Sequence, residues 1–302
     1  MQFKRARFPV ALLVALCLLT FGIACSKDED EEDSDSGDAN TAQVENLTPY
    51  KTSGKEGSIV GAISFNGTAP APKTISMDQD PVCASTNPSA TAEDIVVKDG
   101  KLENVFVYIR DGKTADQKSI TGFSFDTPAQ AAVLDQHGCH YVPHILGMQT
   151  KQSLEIKNSD ATSHNVNVLA AKNEKFNQGQ GPGAAPLDKK FLRSEILIPV
   201  KCNQHPWMRS YIGVLSHPFF AVSGADGKFE IKGVPPGTYT VVAWHEKYPQ
   251  GVTQTVTVGA NENKQQDFSF NADQLKAELT DGALKVMPAL EFPMVGHAGN
   301  QH

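Results

Sequence analysis

The sequence predicts an all-β protein of the sandwich type. Strand-forming runs alternate with clusters of Gly, Pro, Asn and Asp along most of the chain, and sustained helical periodicity is nearly absent. With 302 residues there is room for two compact domains and tails. The formal charge of −7 is mildly acidic and no basic stripe occurs, so nucleic acid is not an expected partner.

The first element is a leader. Lys4, Arg5 and Arg7 precede an apolar run over residues 8–23, and Ala24 stands before Cys25. A basic start, an apolar stretch too short to span a bilayer comfortably and a small residue at the cut describe a secretory signal over residues 1–24. The Ala24-Cys25 junction resembles a bacterial lipobox, which implies lipidation of the Cys25 thiol and a membrane anchor. Ser26 rather than Asp follows it, which resembles outer-membrane sorting, so the expected location is the cell envelope. Loss of residues 1–24 removes three positive charges and no negative ones, leaving a net charge of about −10. The acidic run over 28–38 repels itself and buries nothing, so residues 25–56 read as a disordered tether.

The strands follow. Residues 57–65 alternate and end at Asn66-Gly67, within a 57–92 segment that holds a long turn-rich stretch. Residues 105–110 form a second run ended by Asp111-Gly112. Later come 219–222, 224–231 and 234–244, with Asp226-Gly227 suited to a tight hairpin and Pro235-Pro236-Gly237 setting a reversal. Residues 271–302 carry one weak amphipathic pattern (Leu275, Leu279, Leu284) and read as a tail.

The chemistry concentrates at Cys-Asn-Gln-His-Pro-Trp-Met, residues 202–208, with Ser-His-Asn at 163–165 upstream. His164 follows a strand-like run, and Cys202, His205 and Met208 share one loop after another. Two His, one Cys and a weak Met form the ligand set of blue copper electron-transfer sites. A structural zinc site is the competing reading, but it requires four strong Cys or His ligands, and Met is a poor one.

At these residues the chain resembles the cupredoxins, with the short Cys-x-x-His-x-x-Met spacing of an amicyanin-like loop. The resemblance covers roughly residues 134–215. It implies one type 1 copper held by His164, Cys202, His205 and Met208 in a Greek-key β-sandwich over 93–218. It also implies that Asn165 ties the two ligand segments together. Glu195-Ile-Leu-Ile-Pro-Val-Lys departs from the usual approach to the Cys. Gln204 stands where amicyanin has Pro, which brings a backbone N–H within reach of the Cys202 sulfur. Pro206 and Trp207 flank His205, expected to be the more exposed ligand, and suggest an apolar docking surface for a redox partner. Residues 219–270 resemble the carboxypeptidase regulatory-like domain, a small transthyretin- or Ig-like β-sandwich. Residues 57–63 look like its opening strand, so this sandwich is either discontinuous around the copper domain or simply serial with it. No His-Glu-x-x-His motif is present and no enzymatic activity is expected.

Once Cys17 leaves with the leader, Cys25 takes lipid and Cys202 serves the metal, Cys83 and Cys139 remain. In an oxidising envelope an even remainder reads as a disulfide. His137, His140, His144 and Met148 form a second cluster in which metal collection competes with ordinary surface placement. Trp244-His245-Glu246 reads as a domain-interface element, and His217-Pro218 as a domain boundary. The function expected is single-electron transfer to and from redox proteins of the envelope. Copper binding or delivery without such a role, and a surface interaction module, are the alternatives. The sequence leaves the oligomeric state open.

Overall fold

The computed structural model describes residues 47–275, all within one compact unit, Glu45–His302. The leader, the lipidated Cys25, the acidic run and most of the tail lie outside the described residues. The chain is all-β, and its alternating runs form two sandwiches.

In the first sandwich one sheet orders Phe220–Val222, Phe106–Thr114, Gly237–His245 and Tyr248–Val258. The other orders Lys228–Val234, Gly57–Asn66, Lys101–Leu102 and Val97–Lys98, with Asn263–Gln265 and Phe268–Asn271 pairing parallel to Gly57–Asn66. Alternation in Gly57–Asn66 sends Ile59, Ile63 and Phe65 inward against Ile109, Phe229, Ile231, Val241 and Phe270. Gly57–Asn66 pairs antiparallel with Lys228–Val234, and Phe106–Thr114 pairs with Gly237–His245. The first sandwich is therefore discontinuous. The strand expected at 105–110 inside the 93–218 domain belongs to it instead, because its inward side chains Val107 and Ile109 complete that core.

The second sandwich is inserted between these strands. Its four-stranded sheet orders Leu187–Lys190, Ser153–Asn158, Ala132–His137 and His140–Val142. Its five-stranded sheet orders Phe176–Gln180, His164–Val168, Glu195–Lys201, Arg209–Leu215 and Ile145–Gln149. Leu134, Tyr141, Leu154, Ile156, Val166, Val168, Ile198, Val200 and Ile212 fill the space between. The unusual Glu195-Ile-Leu-Ile run holds a bulge between Glu195 and Ile198, with Leu197 at φ 59°. The bulge turns Leu197 toward the junction of the sandwiches while Ile198 and Val200 keep facing the core. At that junction Phe106, Tyr108, Ile145, Leu215 and Val242 cluster, and Trp244 packs on Tyr211.

Three expectations change. Asp226-Gly227 does make a turn, Gly227 N–H donating to Gly224 O at 2.8 Å. The strands on either side pair into different sheets, so it is a crossover and not a hairpin. The end of the 25–56 tether is ordered from Thr48: Thr48–Pro49 pairs with Phe123–Ser124, and Tyr50 packs its ring on Phe123 and Phe125. Partial burial of that ring offsets the entropy cost of ordering this end of the segment. Finally, the turn-rich stretch contains a short helix, Pro81–Thr86, started by Asp80 as N-cap and Pro81 in the first turn.

Candidate metal centre

His164 opens the strand His164–Val168, and Cys202 directly follows Glu195–Lys201. These strands are antiparallel neighbours, with Asn167 opposite Lys201, so both ligand segments emerge at one end of the sandwich. The loop after Cys202 is drawn tight by two backbone bonds, Cys202 N–H to Met208 O at 3.2 Å and Met208 N–H to His205 O at 3.0 Å. Asn165 joins the segments: its Oδ1 accepts Asn203 N–H at 2.7 Å and the Cys202 thiol at 3.3 Å.

One donor atom from each of His164, Cys202 and His205 lies within 4.8 Å of the others, and all three residues are buried. The two imidazoles present the same face inward, Nδ1 to Nδ1 at 2.9 Å, and Cys202 Sγ is 3.8 Å from His205 Nδ1. Met208, at the far end of the loop, is fully buried in the same core cluster.

Behind each imidazole stands a carboxylate. Asp160 Oδ2 is 2.8 Å from His164 Nε2, and Asp80 Oδ2 is 3.1 Å from His205 Nε2. Asp160 is fixed by the N–H groups of Gly138 and Cys139 at 2.7 and 2.8 Å. Asp80 uses Oδ1 to cap the Pro81–Thr86 helix and accepts the Thr162 hydroxyl on Oδ2 at 2.7 Å. Carboxylates at Nε2 fix the ring orientation and direct the Nδ1 lone pairs inward, as metal-ligating histidines require.

The electrostatics agree. Burial works against protonation of His164, but its bonds to Asp160 and Cys202 outweigh this and raise its pKa to about 9. Burial likewise opposes the Cys202 thiolate. Contacts from His164 and from the backbone N–H groups of Asn165, His205 and Gln204 overcome it, and the thiol pKa falls. His205 is lowered by burial and then by the charge on His164, against the pull of Asp80.

The donors fit a metal ion. Bonds of about 2.0–2.1 Å to imidazole nitrogen and about 2.3 Å to a thiolate span the observed N–N and N–S separations of 2.9 and 3.8 Å. A structural zinc site takes four strong Cys or His ligands, whereas this group has three, with Met208 buried at the end of the same loop.

Cys83 and Cys139 are disulfide-bonded, with Cα atoms 5.6 Å apart, and Cys202 is the free cysteine of the described residues. The bridge binds the Pro81–Thr86 helix to the turn between Ala132–His137 and His140–Val142. Cys83 Sγ comes to rest 4.0 Å from His205 Nε2. His205 is the most exposed of the four, as expected, but at 5% it too is buried, covered by Asp80 and the disulfide. The docking surface expected at Pro206 and Trp207 changes with it. Pro206 is exposed, but Trp207 is half-buried, its indole 5.0 Å from the His205 ring and its Nε1–H donating to Cys139 O at 3.1 Å. Gln204 is exposed, and its backbone N–H is among the groups that lower the Cys202 pKa.

Asp80 and Asp160 went unread in the sequence. Asp80 carried one signal, an Asp-Pro helix start three residues before Cys83. Asp160 stands four before His164 in a loop and carried none.

A carboxypeptidase regulatory-like domain model matches residues 216–271. No curated protein matches the chain. Among solved structures the chain is similar to a copper-containing nitrite reductase from Thermus scotoductus, at 19% identity and TM-score 0.26, covering 28% of this chain and 22% of that one. It thus spans about a fifth of that enzyme's length. It is also similar to a purple cupredoxin from Nitrosopumilus maritimus, at 17% identity and TM-score 0.24, over 28% of this chain and 98% of that one. A reduced Cu(I) amicyanin variant shares 22% identity at TM-score 0.25, over 30% of this chain and 86% of its own. These are weak, partial likenesses of fold.

Proposed function

We propose that this chain is a lipid-anchored cell-envelope protein that carries single electrons through one type 1 copper site held by His164, Cys202, His205 and Met208. The observation that carries the reading is the buried convergence of two Nδ1 atoms and a free thiol, each imidazole backed by a carboxylate. Bound copper would supply a one-electron couple there. The protein's part is to exclude water and to hold the donors still, so that little reorganises when charge changes. Asp80 and Asp160 lock the ring orientations, the backbone N–H groups of Gln204 and His205 stabilise charge on the Cys202 sulfur, and the disulfide keeps the cover in place. The buried His205 disfavours free metal exchange, and so favours electron transfer over copper delivery. Trp207, in contact with His205 and reaching the surface beside Pro206, is the shortest way out toward a redox protein. The Ala24-Cys25 junction supports the anchor and the envelope location.

The test is the visible and electron-spin-resonance spectrum of the copper-loaded protein. Wild type is expected to show intense thiolate-to-copper absorption, Cys202→Ala to lose it, and Met208→Ala to keep a shifted colour. A Cys202→Ala variant with the wild-type spectrum would overturn the assignment.

A further inference from the structure

The end of the inserted sandwich opposite the metal centre carries a cationic face with apolar tips. His164–Val168 and Glu195–Lys201 are antiparallel neighbours; the candidate ligands stand at one end of this pair, and Leu169 and Glu195 at the other. The two ends are about 17 Å apart along His164–Val168. At the far end two loops are knotted together. Glu195 accepts the N–H groups of Ala171, Lys172 and Asn173, and Asn173 Oδ1 accepts those of Leu192 and Arg193 at 2.9 and 3.0 Å. Lys151 N–H donates to Phe191 O at 2.7 Å. Lys189 Nζ lies 4.8 Å from the centre of the Phe176 ring, and Phe176 is the register partner of Val168. These contacts gather Lys151, Lys172, Lys175, Lys189, Lys190 and Arg193, and none of the six forms an ion pair among the described residues. Over 169–193 the exposed acids are Glu174 and Asp188 alone, while Glu195 is buried and spent on the loop N–H groups. Leu192 is 67% exposed on this face, with Leu169 at 42% and Ile196 at 37%, three of the five large apolar side chains that the described residues expose. One exposed leucine needs no explanation, but three gathered among unpaired cations do.

We propose that this end rests on an anionic phospholipid surface, with Leu192 entering the headgroup region and the surrounding cations on the lipid phosphates, a placement that rests on the reading of an envelope protein anchored at Cys25. Fully extended, residues 25–46 would reach about 75 Å, so an anchor alone leaves every face free to approach the bilayer. Charge makes the choice. Without its leader the chain carries about −10, and an anionic surface repels it as a whole. Screening confines that field to about 8 Å at physiological salt, so the face nearest the lipid decides, and here cations outnumber acids. Each Lys or Arg held at such a surface gains about fivefold in affinity. The exposed leucines call for an apolar phase behind the anionic layer, which phospholipid offers and a polyanion in solution does not. Seated in this way, His164–Val168 and Glu195–Lys201 lead from the membrane to the metal centre on the far side, where Trp207 is open to a redox protein of the envelope. In the sequence the six cations are spread over residues 151–193 and form no basic stripe; the loops bring them together.

The experiment uses the chain from residue 25 onward with Cys25→Ser, so that neither the leader nor an attached lipid contributes, and it is run without metal. Cosedimentation is measured with vesicles of phosphatidylcholine and of phosphatidylcholine mixed with phosphatidylglycerol. Binding to the mixed vesicles alone, weakened by added salt, is expected. Lys189→Gln with Lys190→Gln, and separately Leu192→Asn, should each reduce it at least about tenfold, whereas Lys201→Gln, exposed at the metal end, should not. Leu192→Trp should shift its emission to the blue when mixed vesicles are added. None of these side chains is buried, and circular dichroism confirms that each variant folds. No binding, equal binding to both kinds of vesicle, or unchanged binding in either the lysine or the leucine variant overturns the placement. Binding to polyaspartate with none to the vesicles overturns it likewise and assigns this end to an acidic protein. Neither copper nor the anchor enters these measurements, so a failure here leaves the electron-transfer reading standing, and the spectra of the copper-loaded protein test that reading separately.

Discussion

At the scale of single residues, the position before His205 contributes to the charge balance on the sulfur, after His164 and the backbone of Asn165 and His205. The Gln204 N–H approaches Cys202 Sγ, and Pro at that position has no N–H to offer. A donor aimed at a metal-bound thiolate stabilises negative charge on it and favours reduced copper. Gln204→Pro is therefore expected to lower the reduction potential with the ligand set intact; about 59 mV corresponds to a tenfold change in a one-electron equilibrium. Protein-film voltammetry of both proteins, with spectra confirming the copper site, reads this directly, and an equal or higher potential refutes it. The candidate ligands were legible from residue type and spacing, because Cys202, His205 and Met208 lie within seven positions of one another. Their outer partners were not. His205 and Asp80 are 125 residues apart, and no local pattern links them.

At the scale of elements, the disulfide and the short helix act together as a cover. Cys83 and Cys139 are 56 residues apart, and in the chain-entropy picture a loop of that length is worth on the order of 4 kcal/mol. Cys83→Ser with Cys139→Ser is expected to lower the denaturation free energy by that order. It should also speed removal of copper by a chelator, since Asp80 and the helix are then held over His205 by hydrogen bonds alone. Urea titrations and chelator-exchange kinetics check the two effects separately; unchanged exchange would mean that the cover stays closed without its bridge. Cysteine arithmetic was enough to pair these residues. What it could not reveal was where the bridge sits, because that depends on how the 57–92 segment crosses the inserted sandwich. The junction of the sandwiches was equally hidden. Gly147 and Gly213 are register partners on adjacent strands, and a Cβ on either would collide with the ring of Phe220 or Phe106. A pair of glycines in two strand sequences reads as weakness until the rings that rest on them are seen.

Across the whole molecule, two buried histidines outside the candidate metal centre make stability depend on pH. His217 stacks on Phe219, and burial lowers its pKa to about 4. His245 lies against Tyr248 and Phe270, and burial, then the charges of His144 and Lys247, bring it to about 3. Both values lie below the unfolded value of about 6.5, so the unfolded chain binds more protons between them. The stability these neutral rings provide is whole above pH 6.5 and is lost as pH falls toward the folded values. At pH 5 the loss is about 2 kcal/mol for each. His217→Gln and His245→Gln, compared with wild type by denaturant unfolding of the metal-free protein at pH 7 and pH 5, should each flatten the difference. A variant with the wild-type pH slope would exclude its histidine as a source.

By itself the sequence determined the all-β class and the disulfide and singled out the four candidate ligands, since strand alternation, residue spacing and cysteine count are properties of short stretches or of simple sums. Only the tertiary structure decided that Phe106–Thr114 belongs to the discontinuous sandwich, where Val107 and Ile109 fill its core. It alone decided that His205 is buried, and that Glu93 meets His140 and His144. Alternation tells which side chains of a strand point inward but not which sheet will receive them, and burial is conferred on a residue by segments a hundred positions away.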